Sequence, residues 1–245
     1  MKTRVVTLMW GEAWDKYGKR FAETFVKFWP DSVDLVIVTD KYHMVPRSKQ
    51  YMLNCLPGYE EFMKHWSGDP RAKGFMRPHG TKVDRHGRSF RFDAVMWMPQ
   101  AITPAAALDG LEDGDILVWF DADVETLKPV RYGWLEELVG DADVVCLQRQ
   151  NSHSEIGFYG IRISDKTRAF IRMFGDIYTS DNVFDLREWH SAFVFDYALS
   201  CFPDIKVKNL SPVGNGVSHV WPNTPLAEFT EHYKGNRKEA RNART

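Results

Sequence analysis

The chain has 245 residues, 44% of them hydrophobic and 27% charged, enough for one α/β domain with a large core. Its net charge of −1 supplies no global field to attract nucleic acid or an anionic membrane. Three cysteines, Cys55, Cys146 and Cys201, stand far apart with no Cys-x-x-Cys pair, which leaves zinc-ribbon and thioredoxin-like readings without support and fits a reducing compartment. The first residues lack the apolar core of a signal peptide, and no apolar run approaches membrane-span length. A soluble, cytoplasmic protein with no membrane partner is expected.

Residues 4–9 read as a first strand, and Trp10-Gly11-Glu12 turns out of it. From Trp14 the large apolar positions are Trp14, Tyr17, Phe21, Phe25 and Phe28. Their spacing of three or four predicts an amphipathic helix, ended by Pro30-Asp31. Residues 35–39 form a second buried strand that stops at Asp40. This β-α-β start predicts parallel strands with a right-handed crossover. Residues 41–90 hold four prolines and no clean period, so an insertion or long loop with short helical pieces is expected. Residues 91–108 read as a helix interrupted at Pro99 and Pro104.

The run Ile116-Leu117-Val118-Trp119-Phe120 is a buried strand by its continuous apolar character. Asp121-Ala122-Asp123 follows it directly. Ligands of open α/β sheets bind outside the carboxyl ends of the strands, so both carboxylates fall where a site would be. In an extended backbone, residues two apart point the same way, and Asp121 and Asp123 then converge on one hard cation, Mg²⁺ or Mn²⁺. The chain carries its own control. Asp141-Ala142-Asp143 is the same tripeptide, but it precedes a strand (144–147) and reads as a solvated turn. Further on, residues 157–163 read as a strand. Ser164 or Asp165 caps the helix that buries Phe170, Met173, Phe174 and Ile177. Another helix covers 189–199, residues 211–225 are loop, and the segment from Glu231 is polar and basic. The expected organisation is a single domain over 1–245. Residues 41–90 are its insertion and 226–245 its C-terminal tail.

A β-α-β start followed by apolar strand–Asp-x-Asp resembles the GT-A glycosyltransferases. These have a Rossmann-like α/β fold with a mixed, mainly parallel central sheet flanked by helices. The tail, His232-Tyr233-Lys234-Gly235-Asn236-Arg237-Lys238, fits His-x-x-Gly-x-x-Lys. That motif is similar to the one closing the retaining family of glycogenin and the lipopolysaccharide galactosyltransferases. The resemblance implies a metal-dependent transfer of a hexose from a nucleotide-diphosphate sugar, with UDP-sugar as donor and Mn²⁺ or Mg²⁺ as cofactor. It implies that His232 joins Asp121 and Asp123 on the metal, and that Gly235 and Lys238 bind the diphosphate. His219 is a rival ligand.

Within that reading the nucleoside is expected near Trp10 and Gly11, with Asp40 at the neighbouring strand end. Arg91 and Asp93 are candidates for nucleotide or sugar contacts, with helix capping the ordinary alternative for Asp93. An inverting enzyme needs a base at the acceptor hydroxyl, and Glu155, Glu188 and His190 are the candidates. A retaining one does not, and the tail motif leans towards retention. The acceptor is a saccharide, protein or DNA hydroxyl. DNA is kept because residues 71–91 carry seven Lys/Arg against one acid, Asp84, interleaved with Phe75 and Phe90, a mix that can bind flipped bases or single strands. A nucleotidyltransferase would want a glycine-rich phosphate loop, which Met9-Trp10-Gly11-Glu12-Ala13 is not. A non-catalytic nucleic-acid-binding protein fits poorly with the net charge.

Overall fold

A computed structural model describes residues 1–211 and 219–233. Strand β1 (Thr3–Met9) leads through a short π-turn at Trp14–Gly18 into α1 (Lys19–Phe28) and back to β2 (Val33–Thr39). Then come β3 (Ser48–Met52), α2 (Tyr59–Trp66), α3 (Ala94–Ala106) and β4 (Ile116–Phe120). Next are β5 (Val124–Thr126), α4 (Trp134–Val139), β6 (Val144–Cys146) and β7 (Phe158–Arg162). The chain continues through α5 (Asp165–Thr179), α6 (Ser191–Ser200), β8 (Val207–Asn209) and β9 (Thr230–His232).

Seven strands form one sheet in the order β3-β2-β1-β4-β7-β6-β8, and β5 pairs with β9 in a separate ladder. The first four are mutually parallel, β7 runs antiparallel to β4 and β6, and β8 is parallel to β6. The expected α/β class, with a mixed and mainly parallel sheet between helices, is what the molecule has. Alternation along the strands divides two cores. Val6, Val36, Val38, Leu117 and Trp119 face α2, α3, α5 and α6. Val5, Leu35, Ile37, Val118 and Phe120 face α1 and α4. Burial on both faces is why these strands read as continuous apolar runs.

Two local expectations are corrected. Residues 48–52 are a strand rather than loop, at the outer edge of the parallel half. Helix α3 runs unbroken through Pro99 and Pro104. A proline inside a helix costs about 3 kcal/mol. Burial of Val95, Met98, Ala101 and Ile102 offsets this, and the Thr103 hydroxyl donates back to the Pro99 carbonyl at 2.8 Å. The described part of the tail includes β9, residues 230–232. The capping expectation for α5 holds: Ser164 accepts from Thr167 N–H and Thr167 Oγ1 accepts from Ser164 N–H.

Candidate functional site

The sheet brings one edge together. The carboxyl ends of β1, β2, β4 and β6 and the amino end of β7 share it, by the pairing directions above. β1 has β2 on one side and β4 on the other, and chain order reverses there, which is where open α/β sheets hold ligands. On one lip the Gly11 N–H donates to Asp40 Oδ2 at 2.9 Å and ties the tips of β1 and β2. Gly11 sits at φ +60, which glycine adopts without the Cβ penalty. Trp10 beside it is half-buried.

The other lip is Asp121-Ala122-Asp123. The backbone does not stay extended here. Val124 N–H donates to Asp121 C=O at 3.0 Å, closing a turn, so the carboxylates converge by the turn instead of by strand alternation. His232 comes from the far end of the chain. β9 pairs antiparallel with β5, setting His232 opposite Val124, and Tyr233 N–H donates to the Asp123 carbonyl at 3.2 Å. His232 Nε2 lies 3.0 Å from Asp123 Oδ1 and 3.8 Å from Asp121 Oδ2. Its Nδ1 lies 3.4 Å from Glu155 Oε1. Burial opposes charging this imidazole. The carboxylates of Asp123, Asp121 and Glu155 outweigh that and raise its pKa above the ordinary 6.5, as opposite charges do.

The donor atoms of Asp121, Asp123 and His232 all fall within 4.8 Å of one another. Two carboxylate oxygens and one imidazole nitrogen suit a hard-to-borderline divalent ion such as Mn²⁺ or Mg²⁺. Asp123 and His232 are buried, while Asp121 is partly open to solvent. Gly157 forms the floor. Its carbonyl accepts from Asp121 N–H at 2.9 Å, and a Cβ placed on it would lie 2.6 Å from His232 Cε1 and 3.4 Å from Asp121 Oδ2. His219, the rival ligand, lies against His232 with ring centroids 5.7 Å apart. It forms a second group with Glu155 and His232.

Glu155, 2% exposed, lies against His232 Nδ1. Glu188 and His190 lie elsewhere, in a group with His153 and Arg91. Arg91 Nη1 donates to Glu188 Oε1 at 3.1 Å, and His153 Nε2 is 3.5 Å from Glu188 Oε2. Phe193 N–H donates to His190 Nδ1 at 3.3 Å. That nitrogen is therefore unprotonated, and Nε2 carries the hydrogen donated to Glu188 Oε2 at 2.9 Å. Burial, then the neighbouring His153, push the His190 pKa down to about 4, against the pull of Glu188. The donor atoms of His153, Glu188 and His190 also fall within 4.8 Å of one another, with both His190 nitrogens engaged, one by the Phe193 N–H and one by Glu188. The His190 ring caps α6.

Arg91 belongs to the Glu188 group. Asp93 caps α3 by accepting from Met96 N–H at 2.9 Å and pairs with Arg88. Burial raises the Asp93 pKa despite these partners. The control tripeptide behaves as a turn. Asp141 pairs with Lys206, and Asp143 accepts from Lys166 Nζ at 2.5 Å and Lys206 N–H at 2.8 Å. Gly235 and Lys238 lie outside the described residues. Sequence reasoning missed three members: Gly157, Gln100 and Trp119. The last two donate to Asp121 Oδ1 at 3.0 and 2.9 Å. A polar residue on an apolar helix was the one available signal for Gln100.

Among the described residues no helix is long and apolar enough to cross a membrane. No family model matches the sequence, and no curated protein matches it. Among solved structures the chain is similar to mouse xyloside xylosyltransferase 1 in its apo form, at 7% sequence identity over 93% of this chain and 92% of that one, with a TM-score of 0.49.

Proposed function

We propose that the protein is a metal-dependent glycosyltransferase of GT-A type, moving a hexose from a nucleotide-diphosphate sugar to a hydroxyl acceptor with retention. The observation that carries this reading is the meeting of Asp121, Asp123 and His232 at the carboxyl end of β4, at the point where strand order reverses. Asp121, Asp123 and His232 would hold Mn²⁺ or Mg²⁺. A divalent ion supplies charge neutralisation to a departing diphosphate, contributing several kcal/mol.

The remaining groups have separate tasks. Gly11, Trp10 and the Asp40 that anchors Gly11 form the lip for the nucleoside. Lys238 adds positive charge to the leaving phosphate. In the transfer the anomeric carbon–phosphate oxygen bond breaks, the acceptor oxygen bonds to that carbon, and the acceptor proton passes to the departing phosphate. No protein base is required. The burial of Glu155 behind His232 and the engagement of both His190 nitrogens favour this over an inverting route. For the acceptor we assign a cavity of about 390 Å³ bordered by exposed Phe90 with Lys82 and Arg88. A ring-bearing acceptor suits it, either a saccharide or a hydroxymethylated DNA base.

The test is thermal unfolding with UDP, GDP, dTDP and CDP, each with Mn²⁺ or with EDTA. A nucleotide at a hundred times its dissociation constant adds about 2.7 kcal/mol, roughly 5–10 °C for a chain of this size. One nucleotide should raise the melting temperature only with Mn²⁺. No rise with any of the four overturns the donor site.

A further inference from the structure

Gln100 is a buried polar residue on α3, among Met98, Pro99, Ala101 and Ile102. A buried amide must have both ends satisfied, and the partners of this one are informative. Its Nε2 donates to Asp121 Oδ1 at 3.0 Å, and its Oε1 accepts from Ser191 Oγ at 2.6 Å. An ionised carboxylate only accepts. The nitrogen end therefore faces Asp121, and the buried Ser191 hydroxyl has to donate to the oxygen end. Trp119 Nε1, which is donor-only, reaches the same Oδ1 at 2.9 Å. Two donors meet on one oxygen of Asp121. The other, Oδ2, is the one turned towards His232 and lying above Gly157.

We propose that Gln100 is a positioning residue for the candidate cation site. With Trp119 it occupies Asp121 Oδ1 and so presents Oδ2 to the ion, and Ser191 locks the amide in the one orientation that can do this. Ser191 is the first residue of α6 and follows the His190 cap. The chain Ser191–Gln100–Asp121 thus fixes the cation site and the Glu188–His190 group in one frame. The proposal rests on Asp121, Asp123 and His232 being a cation site. A merely structural amide would affect stability and leave ion affinity alone.

The experiment is Mn²⁺ titration of the full chain, followed by the electron paramagnetic resonance signal of free Mn²⁺, with unfolding in EDTA measured alongside. The proteins are the parent, Asp121→Ala, Gln100→Met and Ser191→Ala. Loss of a group that orients a ligand typically weakens metal affinity roughly 10–100-fold. That loss is expected for Gln100→Met, with a smaller one for Ser191→Ala and no measurable binding in Asp121→Ala. Ser191→Ala should still fold, unfolding in EDTA somewhat before the parent because the buried Gln100 Oε1 loses its donor. If Asp121→Ala loses Mn²⁺ but Gln100→Met and Ser191→Ala bind like the parent, the positioning role is wrong and the cation site stands. If parent and Asp121→Ala behave alike, the cation site fails and the positioning role fails with it. Should Gln100→Met not fold, Ser191→Ala decides, and unchanged affinity there overturns the proposal.

Discussion

Replacing Gly157 by alanine tests the candidate site at its floor. The added methyl would lie 2.6 Å from His232 Cε1, 2.9 Å from Nδ1 and 3.4 Å from Asp121 Oδ2. Non-bonded carbons prefer roughly 3.5–4.0 Å, so the imidazole or the strand must move by about 1 Å. The imidazole has little room. It is 3% exposed and packs against Trp221 at 5.0 Å and His219 at 5.7 Å between ring centroids. Overpacking of this kind costs about 1–3 kcal/mol, or roughly 2–12 °C in melting temperature. The shift also breaks the 3.0 Å approach of Nε2 to Asp123, so Mn²⁺ affinity should fall by a factor on the order of ten or more. The assay is Mn²⁺ titration together with unfolding in EDTA. Gly68→Ala serves as control, since a Cβ there meets nothing within 4 Å. Gly157→Ala binding Mn²⁺ as tightly as the parent would refute the assignment of His232 as a ligand in this arrangement.

Asp121→Asn and Asp123→Asn should each abolish the Mn²⁺-dependent rise in melting temperature with nucleotide. Asp143→Asn should keep it, because Asp143 serves Lys166 and the Lys206 backbone at the opposite end of the sheet; a loss in all three would point to general damage. His190 predicts a pH dependence. Its folded pKa of about 4 lies below the ordinary 6.5, so on acidification the unfolded chain takes up its proton first. Its contribution to stability therefore declines from about pH 6.5 to about pH 4 and levels off below. His190→Asn keeps a good cap and should flatten that slope in urea melts at several pH values; an unchanged slope rules His190 out as its source. Ser164→Ala removes the α5 capping box and should cost about 1 kcal/mol, a fall of roughly 2–4 °C in a thermal melt, and a melt matching the parent would show that the cap is not limiting.

The parallel half of the fold was legible because β1, β2 and β4 are buried on both faces, and such strands announce themselves as apolar runs. Asp121 and Asp123 were legible for the same reason: they terminate the most conspicuous of those runs. β3, with the sequence Ser-Lys-Gln-Tyr-Met, gave no such signal. It lies at the sheet edge, where partial exposure tolerates polar residues. β5 and β9 are three residues each, too short for any period to emerge. The passage of α3 through two prolines is a tertiary effect, since local propensity alone breaks that helix. The turn at Asp121–Val124 and the Gly157 floor depend on what faces them across the site. Only the folded chain supplies that information. Glu155 and His190 stood out in the sequence as candidate bases, but the neighbours that hold them, His232 for one and Glu188 for the other, lie far from them or unmarked in the chain order.

The pairing of β5 with β9 also has a consequence for how the molecule acquires its site. β5 follows the central strand directly, whereas β9 lies near the far end of the described chain. Contacts between such distant segments close late, because the loop entropy must be overcome before they return any stabilisation. The sheet can form while His232 is still apart from Asp121 and Asp123. In refolding, the core signal should then recover before Mn²⁺ capture does, making ion binding a reporter of the last step of assembly.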